Sequence, residues 1–436
     1  MPFQTLNLPQ PILEAVRLAG YTEPTPIQSA AIPLILAGHD LVGVAQTGTG
    51  KTAAFVLPIL ARLSAEARAP GTSAPWPPRA LILAPTRELA GQIADNVRAY
   101  GRTLSLRAAT IYGGVSERPQ IDALRKGVDL VVATPGRLLD LMGRPGLCHF
   151  SRLEFLVLDE ADRMLDMGFL PDIRRIVKAL PAKRQTLLFS ATMSREIESV
   201  TREFLRSPKS VEIGRRSNPA ATVTQSVYEV AKHLKTGLLV HLLGRPEMST
   251  VLVFTRLKHG ADRLARTLEG KGIQTATIHS NRSQGQRQRA LRDFKDGSVR
   301  VLVATDIAAR GIDVDGVTHV VNYDFPLRAE DYIHRIGRTG RAGAAGEAVS
   351  LVSPDERNYL RSVERFTGRV LARKRAESFN YTTPAPAVAD ARRPHAPAAR
   401  SHHQPGPARA DASPHRGQRD FRPARPSFRK AAVSAR

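Results

Sequence analysis

Leu41-Val42-Gly43-Val44-Ala45-Gln46-Thr47-Gly48-Thr49-Gly50-Lys51-Thr52 is the stretch that decides the fold. A short apolar run leads into a loop with two glycines, and a Lys-Thr pair then opens a helical stretch. That order is the strand, loop and helix of a phosphate-binding turn in an α/β sheet. Gly48 and Gly50 let backbone N–H groups close around phosphate oxygens, and the helix start adds its positive dipole end. Lys51 supplies a point charge to the β and γ phosphates, and Thr52 offers its hydroxyl to Mg2+.

A second stretch, Val157-Leu158-Asp159-Glu160-Ala161-Asp162, places adjacent carboxylates at the exit of an apolar strand. Such a pair can divide two tasks. Asp159 would orient the metal, directly or through water, and Glu160, one residue on, would polarise the attacking water. An acidic string alone would read as a solvated helix start. After a complete phosphate loop it reads as the hydrolytic half of an NTPase.

Further stretches fall in an order that carries a family. Gly20-Tyr21-Thr22-Glu23-Pro24-Thr25-Pro26-Ile27-Gln28 lies upstream, with Phe3 before it. Pro85-Thr86-Arg87-Glu88-Leu89-Ala90, Gly113-Gly114, Thr134-Pro135-Gly136-Arg137 and Ser190-Ala191-Thr192 each follow a β-like apolar run. His334-Arg335-Ile336-Gly337-Arg338-Thr339-Gly340-Arg341 closes the series. Together these motifs resemble the DEAD-box family of RNA-dependent ATPases and helicases over residues 3–368, with a feel closest to its bacterial RhlE-like subgroup. The resemblance implies two RecA-like parallel-sheet domains in tandem, ATP and Mg2+ as cofactors, and RNA as partner.

Residue by residue, the resemblance implies an adenine site at Gln28, with Phe3 and Tyr21 as its aromatics. A Gln side chain offers a donor and an acceptor that match the N6/N7 edge of adenine, and Tyr21 offers a ring. Residues 45–52 would hold the phosphates, with Asp313 of Ala309-Arg310-Gly311-Ile312-Asp313 reaching the ribose. Arg338 and Arg341 would be arginine fingers on the γ-phosphoryl group, a role worth about 10³–10⁵ in rate. Ser190, Thr192, Asp162 and His334 would couple hydrolysis to strand separation.

The RNA grip would come from Pro85, Thr86, Arg87, Gly113, Gly114, Thr134, Pro135, Gly136 and Arg137, where helix starts and small residues admit phosphates. Thr255, Arg256, Gln284, Arg287, Thr305 and Asp306 would complete that edge in the second half. No base-reading group stands out, so little sequence specificity is expected. Where family members often have Gly after the histidine at 279, this chain has Ser280-Asn281, residues that keep a turn by local bonding.

Composition sets the frame. In the second half, β-branched runs at Val251–Thr255, Thr275–Ile278, 299–305 and 317–322 alternate with helical stretches, as in a parallel sheet with covering helices. No second phosphate loop appears, so this half must act on nucleotide bound by the first. The expected domains are 1–212, a hinge linker at 213–221, 222–372, and a disordered basic tail at 373–436. The tail carries 14 basic against 4 acidic residues, so +10 of the chain's +24. With Phe379, Tyr381, Phe421 and Phe428 interspersed, it is expected to attach to RNA. Its histidines, His395, His402, His403 and His415, lack metal-site spacing.

A single cysteine, Cys148, excludes an internal disulfide and suits a reducing cytosol. No apolar run approaches the roughly 20 residues of a membrane span. A cytoplasmic monomer is expected, acting on single strands and short duplexes, with ribosomal or degradation-machinery ribonucleoproteins as candidate contexts. Two other classes share part of the motif set: a DNA-translocating motor, and a scaffold or chaperone that binds RNA under ATP control with little unwinding.

Overall fold

The computed structural model describes residues 2–45, 48–65, 76–213, 223–309, 314, 316–340 and 345–384. A first sheet holds β1 (Leu41–Val44), β2 (Ala80–Leu83), β3 (Ala108–Ile111), β4 (Leu130–Ala133), β5 (Phe155–Leu158), β6 (Gln185–Ser190) and β7 (Lys209–Glu212). A second holds β8 (Val223–Glu229), β9 (Val251–Thr255), β10 (Thr275–Ile278), β11 (Val301–Thr305), β12 (His319–Asn322), β13 (Gly346–Val352) and β14 (Ala372–Lys374). The strand orders are β3-β4-β2-β5-β6-β1-β7 and β10-β11-β9-β12-β13-β8-β14. Every pairing is parallel. The two orders are one topology traced twice, so the chain is a tandem pair of RecA-like domains.

The sequence builds these sheets by burying both faces of each central strand. β2 reads Ala-Leu-Ile-Leu and β5 Phe-Leu-Val-Leu, and every residue in them is buried. Alternation sends neighbours to opposite sides. Ile82 joins the core that contains Phe55 and Ile93, whereas Leu81 joins the one that contains Met164 and Ile176. Gly43 in β1 meets the Phe189 ring of the adjacent strand so closely that a Cβ there would lie 2.5 Å from it.

Because all strands run one way, their C-terminal ends share an edge, where ligands of open α/β sheets bind. Ala45, Ala84, Thr134, Asp159 and Ser190 therefore emerge side by side in the first domain. Thr255, His279 and Asp306 do so in the second. Among the described residues no helix is long and apolar enough to cross a membrane.

The expected start of the tail at 373 falls inside the fold. Ala372–Lys374 pairs with β8 as an edge strand, the Ala376 N–H donates to Tyr381 Oη at 2.9 Å, and Phe379 and Tyr381 pack against the core with Leu238 and Leu242. Both aromatics, expected as stacking groups for RNA, are thus largely spent on packing. The strand Ala-Arg-Lys is exposed throughout, so backbone pairing and not apolar periodicity holds it, and periodicity could not reveal it. Phe421, Phe428 and the four tail histidines lie outside the described residues.

Candidate active site

The phosphate loop ends in two glycines with left-handed backbones, Gly48 at φ 82° and Gly50 at φ 87°. Thr49 lies between them, and Lys51 and Thr52 open the helix Lys51–Ala65. Lys51 is buried, and its Nζ donates to the Ala45 carbonyl at 2.6 Å. Burial pulls its pKa down against the opposing pull of Asp159, Glu160 and Asp162. A cation so placed gains when anionic phosphate enters. Gln46 and Thr47 lie outside the described residues.

Gln28 is tied to this loop. Thr25 caps the helix Pro26–Leu36 in a capping box, and the Gln28 Oε1 accepts the Thr25 N–H at 2.9 Å. Its Nε2 donates to the Gly50 carbonyl at 3.1 Å. A Cβ on Gly50 would lie 2.4 Å from that nitrogen, so glycine is needed there for contact as well as for φ. Both polar atoms of Gln28 have a protein partner, yet an amide keeps one further N–H and one further lone pair. Phe3 is buried and stands 6.5 Å behind Tyr21, centroid to centroid. Tyr21 keeps an open face, its Oη 3.1 Å from Tyr100 Oη.

Asp159 and Glu160 follow β5 and are both buried. Glu160 takes a left-handed backbone at φ 52°, a strained state for a non-glycine residue, and its N–H donates to Asp159 Oδ1 at 3.0 Å. Burial, with the adjacent Glu160 carboxylate, pushes the Asp159 carboxyl well above the usual range. Two desolvated carboxyls in this state fit a divalent cation. Among the described residues no three His, Cys, Asp or Glu groups converge as a cage. Mg2+ is bound by one or two carboxylates plus phosphates, so the chemistry of Asp159 and the Thr52 hydroxyl fits it.

Arg163, only 1% exposed, points its Nη1 at Glu160 Oε2 from 2.5 Å. Its Nε and Nη2 find no hydrogen-bond partner among the described residues. Nothing in the sequence singles out this arginine, which reads as one more charge in a helix.

Asp162 ties three motifs together. Its Oδ2 accepts from the Ala191 N–H at 3.0 Å, the Thr192 N–H at 3.1 Å and Thr192 Oγ1 at 3.3 Å, and His334 Nε2 of the second domain stands 4.0 Å away. Ser190, expected in the coupling set, donates its hydroxyl to the Thr192 carbonyl at 2.7 Å. Arg335 makes a two-pronged pair with Asp306 at 2.6 and 2.7 Å. Asp306, expected at the RNA edge, is thereby consumed inside its own domain, and a carboxylate would in any case repel phosphate. Arg338 is buried with its Nε donating to the His334 carbonyl at 3.2 Å. Arg341 and Asp313 lie outside the described residues.

The expected RNA edge divides into open and occupied groups. Arg87 lays its guanidinium against Gly113-Gly114, so close that a Cβ on Gly114 would lie 1.8 Å from Nη1. Thr134 precedes the helix Pro135–Met142, where Gly136 is exposed and Arg137 Nη1 is buried without a hydrogen-bond partner among the described residues. These can still take phosphate. Thr86, by contrast, is buried behind Pro85 and spends its hydroxyl on the Leu89 N–H at 3.2 Å.

Thr255 is buried, Thr305 is half-buried, and Arg256 leans toward Glu356 at 3.6 Å. Asn281 accepts from Lys258 Nζ at 2.9 Å, which holds the altered turn. Gln284 and Arg287 face Glu88 of the first domain at 2.9 and 3.1 Å. No local pattern marks Glu88 as a site residue, since its partners lie far along the chain.

Comparison with known proteins agrees with this geometry. The family model described as DEAD/DEAH box helicase matches residues 25–200, and that described as helicase conserved C-terminal domain matches 234–343. The chain is 45% identical over 367 residues to the DEAD-box ATP-dependent RNA helicase CshA of Streptococcus pneumoniae, covering 84% of this chain and 68% of that one. It is 43% identical over 370 residues to the ATP-dependent RNA helicase DeaD of Mycobacterium tuberculosis, covering 85% and 64%. Its fold matches Dbp5 of S. cerevisiae bound to RNA and ADP BeF3 with a TM-score of 0.77 at 31% identity, covering 86% of this chain and 95% of that one.

Proposed function

The chain belongs to the DEAD-box family of ATP-dependent RNA helicases, and from that premise we propose how its residues divide the work of an RNA-dependent ATP hydrolase. The first domain takes ATP. Tyr21 stacks on the adenine, and the spare N–H and lone pair of Gln28 read its N7 and N6. Lys51 leaves the Ala45 carbonyl for the β and γ phosphates. Thr52 and Asp159 would hold Mg2+, which would supply charge neutralisation at the phosphates. Glu160 accepts the proton of the attacking water, and Arg338 with Arg341 stabilises charge on the γ-phosphoryl group.

One observation carries the coupling. Asp162, two residues from Glu160, accepts three hydrogen bonds from the turn after β6 and stands 4.0 Å from His334, four residues before Arg338. A change at the phosphates can therefore be felt at once in both domains. Closure of the second domain over ATP joins Arg87, Gly113, Gly114, Gly136 and Arg137 to the second domain's edge in one RNA groove. A strand bent there would be pried from a short duplex locally, and hydrolysis would reset the open state. Cytoplasmic residence belongs to the same proposal, supported by a lone buried cysteine.

The test compares ATP turnover with single-stranded RNA and DNA of equal length. RNA should stimulate strongly and DNA weakly, and Glu160→Gln should bind ATP and RNA but stall hydrolysis. Equal stimulation by DNA, or wild-type turnover in Glu160→Gln, would overturn the assignment.

A further inference from the structure

The last helix of the second domain, Arg357–Thr367, carries a basic outer face that the ATP site does not use. Between residues 357 and 375 the chain has seven basic residues and one acid, Glu364. The helix buries Leu360, Val363 and Thr367, and Gly368 ends it at φ 66°. Arg361 and Arg365 lie one turn apart on the exposed side, and Arg369 follows just past the helix end.

Two neighbours of these arginines are already neutralised. Arg357 pairs with Glu229 at 2.7 Å, and Arg373 with Glu364. Arg361, Arg365 and Arg369 make no ion pair and no side-chain hydrogen bond among the described residues. Like charges one turn apart destabilise a helix when no counter-charge lies between them. Large apolar side chains also stand exposed beside them: Tyr359 at 36%, Phe366 at 41% and Val370 at 84%. Tyr359 and Phe366 are seven residues apart, so they sit on one side of the helix, about 10 Å from each other along it.

An ordinary solvated face mixes charges of both signs. Unpaired guanidinium groups interleaved with aromatics are instead the chemistry that holds a single strand, with phosphates on the arginines and bases on the rings. The helix also begins beside a cleft of about 540 Å³ lined by Glu229, Val352, Arg357, Lys374 and Tyr381. That cleft opens where β8, β13 and β14 end, on the sheet edge that also carries Thr255 and Asp306. Arg375 stacks on Tyr381 there at 4.6 Å. The helix thus starts at the edge on which the catalytic motifs emerge and runs back along the sheet toward the start of β14.

We infer that this face is a second, nucleotide-independent binding surface for single-stranded RNA, holding a strand outside the groove between the two domains. The inference rests on the RNA-dependent reading above. It gives the chain a hold on RNA that survives the open state, when the groove is broken.

The test uses the full chain and its Arg361→Ala/Arg365→Ala/Arg369→Ala variant, with RNA of about 10 nucleotides, enough for the groove alone, and of about 40. Without nucleotide, affinity for the long RNA should fall at least about tenfold, and the salt slope of log affinity should flatten by about 2, for three contacts at roughly 0.7 each. Phe366→Ala should weaken long-RNA binding about tenfold with the salt slope kept. ATP turnover at saturating short RNA should match the wild type in both variants. Unchanged long-RNA affinity and slope in the triple variant would overturn the inference, and so would lost turnover on short RNA, which would put these arginines in the groove. Failure of the parent reading looks different: the wild type itself would show no stimulation by either RNA.

Discussion

Glu88 and Arg287 form an ion pair at 3.1 Å between the two domains, with only 3% and 13% of their side chains exposed. Gln284 adds a hydrogen bond to the other Glu88 oxygen at 2.9 Å. Burial lowers the Arg287 pKa, and Glu88 resists that shift, so each charge needs the other. This contact is made only when the domains face one another.

Removing one partner of such a pair strands a buried charge, at a cost of about 3–5 kcal/mol. Glu88→Ala should therefore lower RNA-stimulated turnover at least about tenfold while ATP binding to the first domain is kept. Steady-state turnover beside a fluorescent-nucleotide titration separates the two. Wild-type turnover would show that the pair does not matter for closure.

Arg163 should act on kcat and not on KM. Its Nη1 holds Glu160 Oε2 at 2.5 Å. Arg163→Met should reduce kcat about tenfold with KM for ATP unchanged, and Arg163→Lys should recover part of the loss, since a shorter cation still reaches a carboxylate. A rise in KM with kcat intact would contradict a positioning role.

The pH dependence of stability follows from Asp159. Its pKa is raised in the folded state by burial and by Glu160, so the folded protein holds this proton more tightly than the unfolded chain. The stability it contributes is present below the unfolded value of about 3.9 and is lost as pH rises through the folded one. Asp159→Asn removes the titration. Without nucleotide, the variant's Tm should exceed the wild type's by a margin that grows from pH 4 toward pH 8, as scanning calorimetry can record. A constant margin would place the shift elsewhere.

Nucleotide choice tests Gln28. Its amide can complement adenine but not guanine, whose corresponding edge presents two acceptors. ATP should be turned over far better than GTP, and Gln28→Ala should lose that preference together with a helix cap worth about 1 kcal/mol. Equal use of ATP and GTP by the wild type would end the adenine-reading role.

Two truncations test where the fold stops. A chain ending at Pro384 should melt like the full chain. One ending at Ala372 loses most of β14 and the packing of the half-buried Phe379 and Tyr381 on the core, each worth less than a fully buried side chain at about 1.5–3 kcal/mol. Its second domain should unfold several degrees earlier. Identical melting of the two would return the boundary to 373.

Much of the site could be read from letters because phosphate chemistry is local. Gly48, Gly50, Lys51 and Thr52 are neighbours in the chain as in space, and so are Asp159, Glu160 and Asp162. The Arg163 guanidinium also lies close in sequence, yet arginine in a helix is so often solvated that only burial marks it. Asp306 and Thr255 show the converse. A motif places a residue at a strand end but does not say which way its side chain turns.

By itself the sequence determined the class of fold and the class of chemistry: runs of four to six apolar residues between turn signals suit strands buried on both faces, and a glycine loop between such a strand and a helix opening Lys-Thr suits phosphate. Tertiary structure decided which groups are free to act. Glu88 meets Arg287 across 199 positions, Asp162 meets Thr192 across 30 and His334 across 172, and Phe379 turns inward on a helix that begins at Lys235. Those meetings depend on strand order and domain approach, which packing sets and no local pattern encodes.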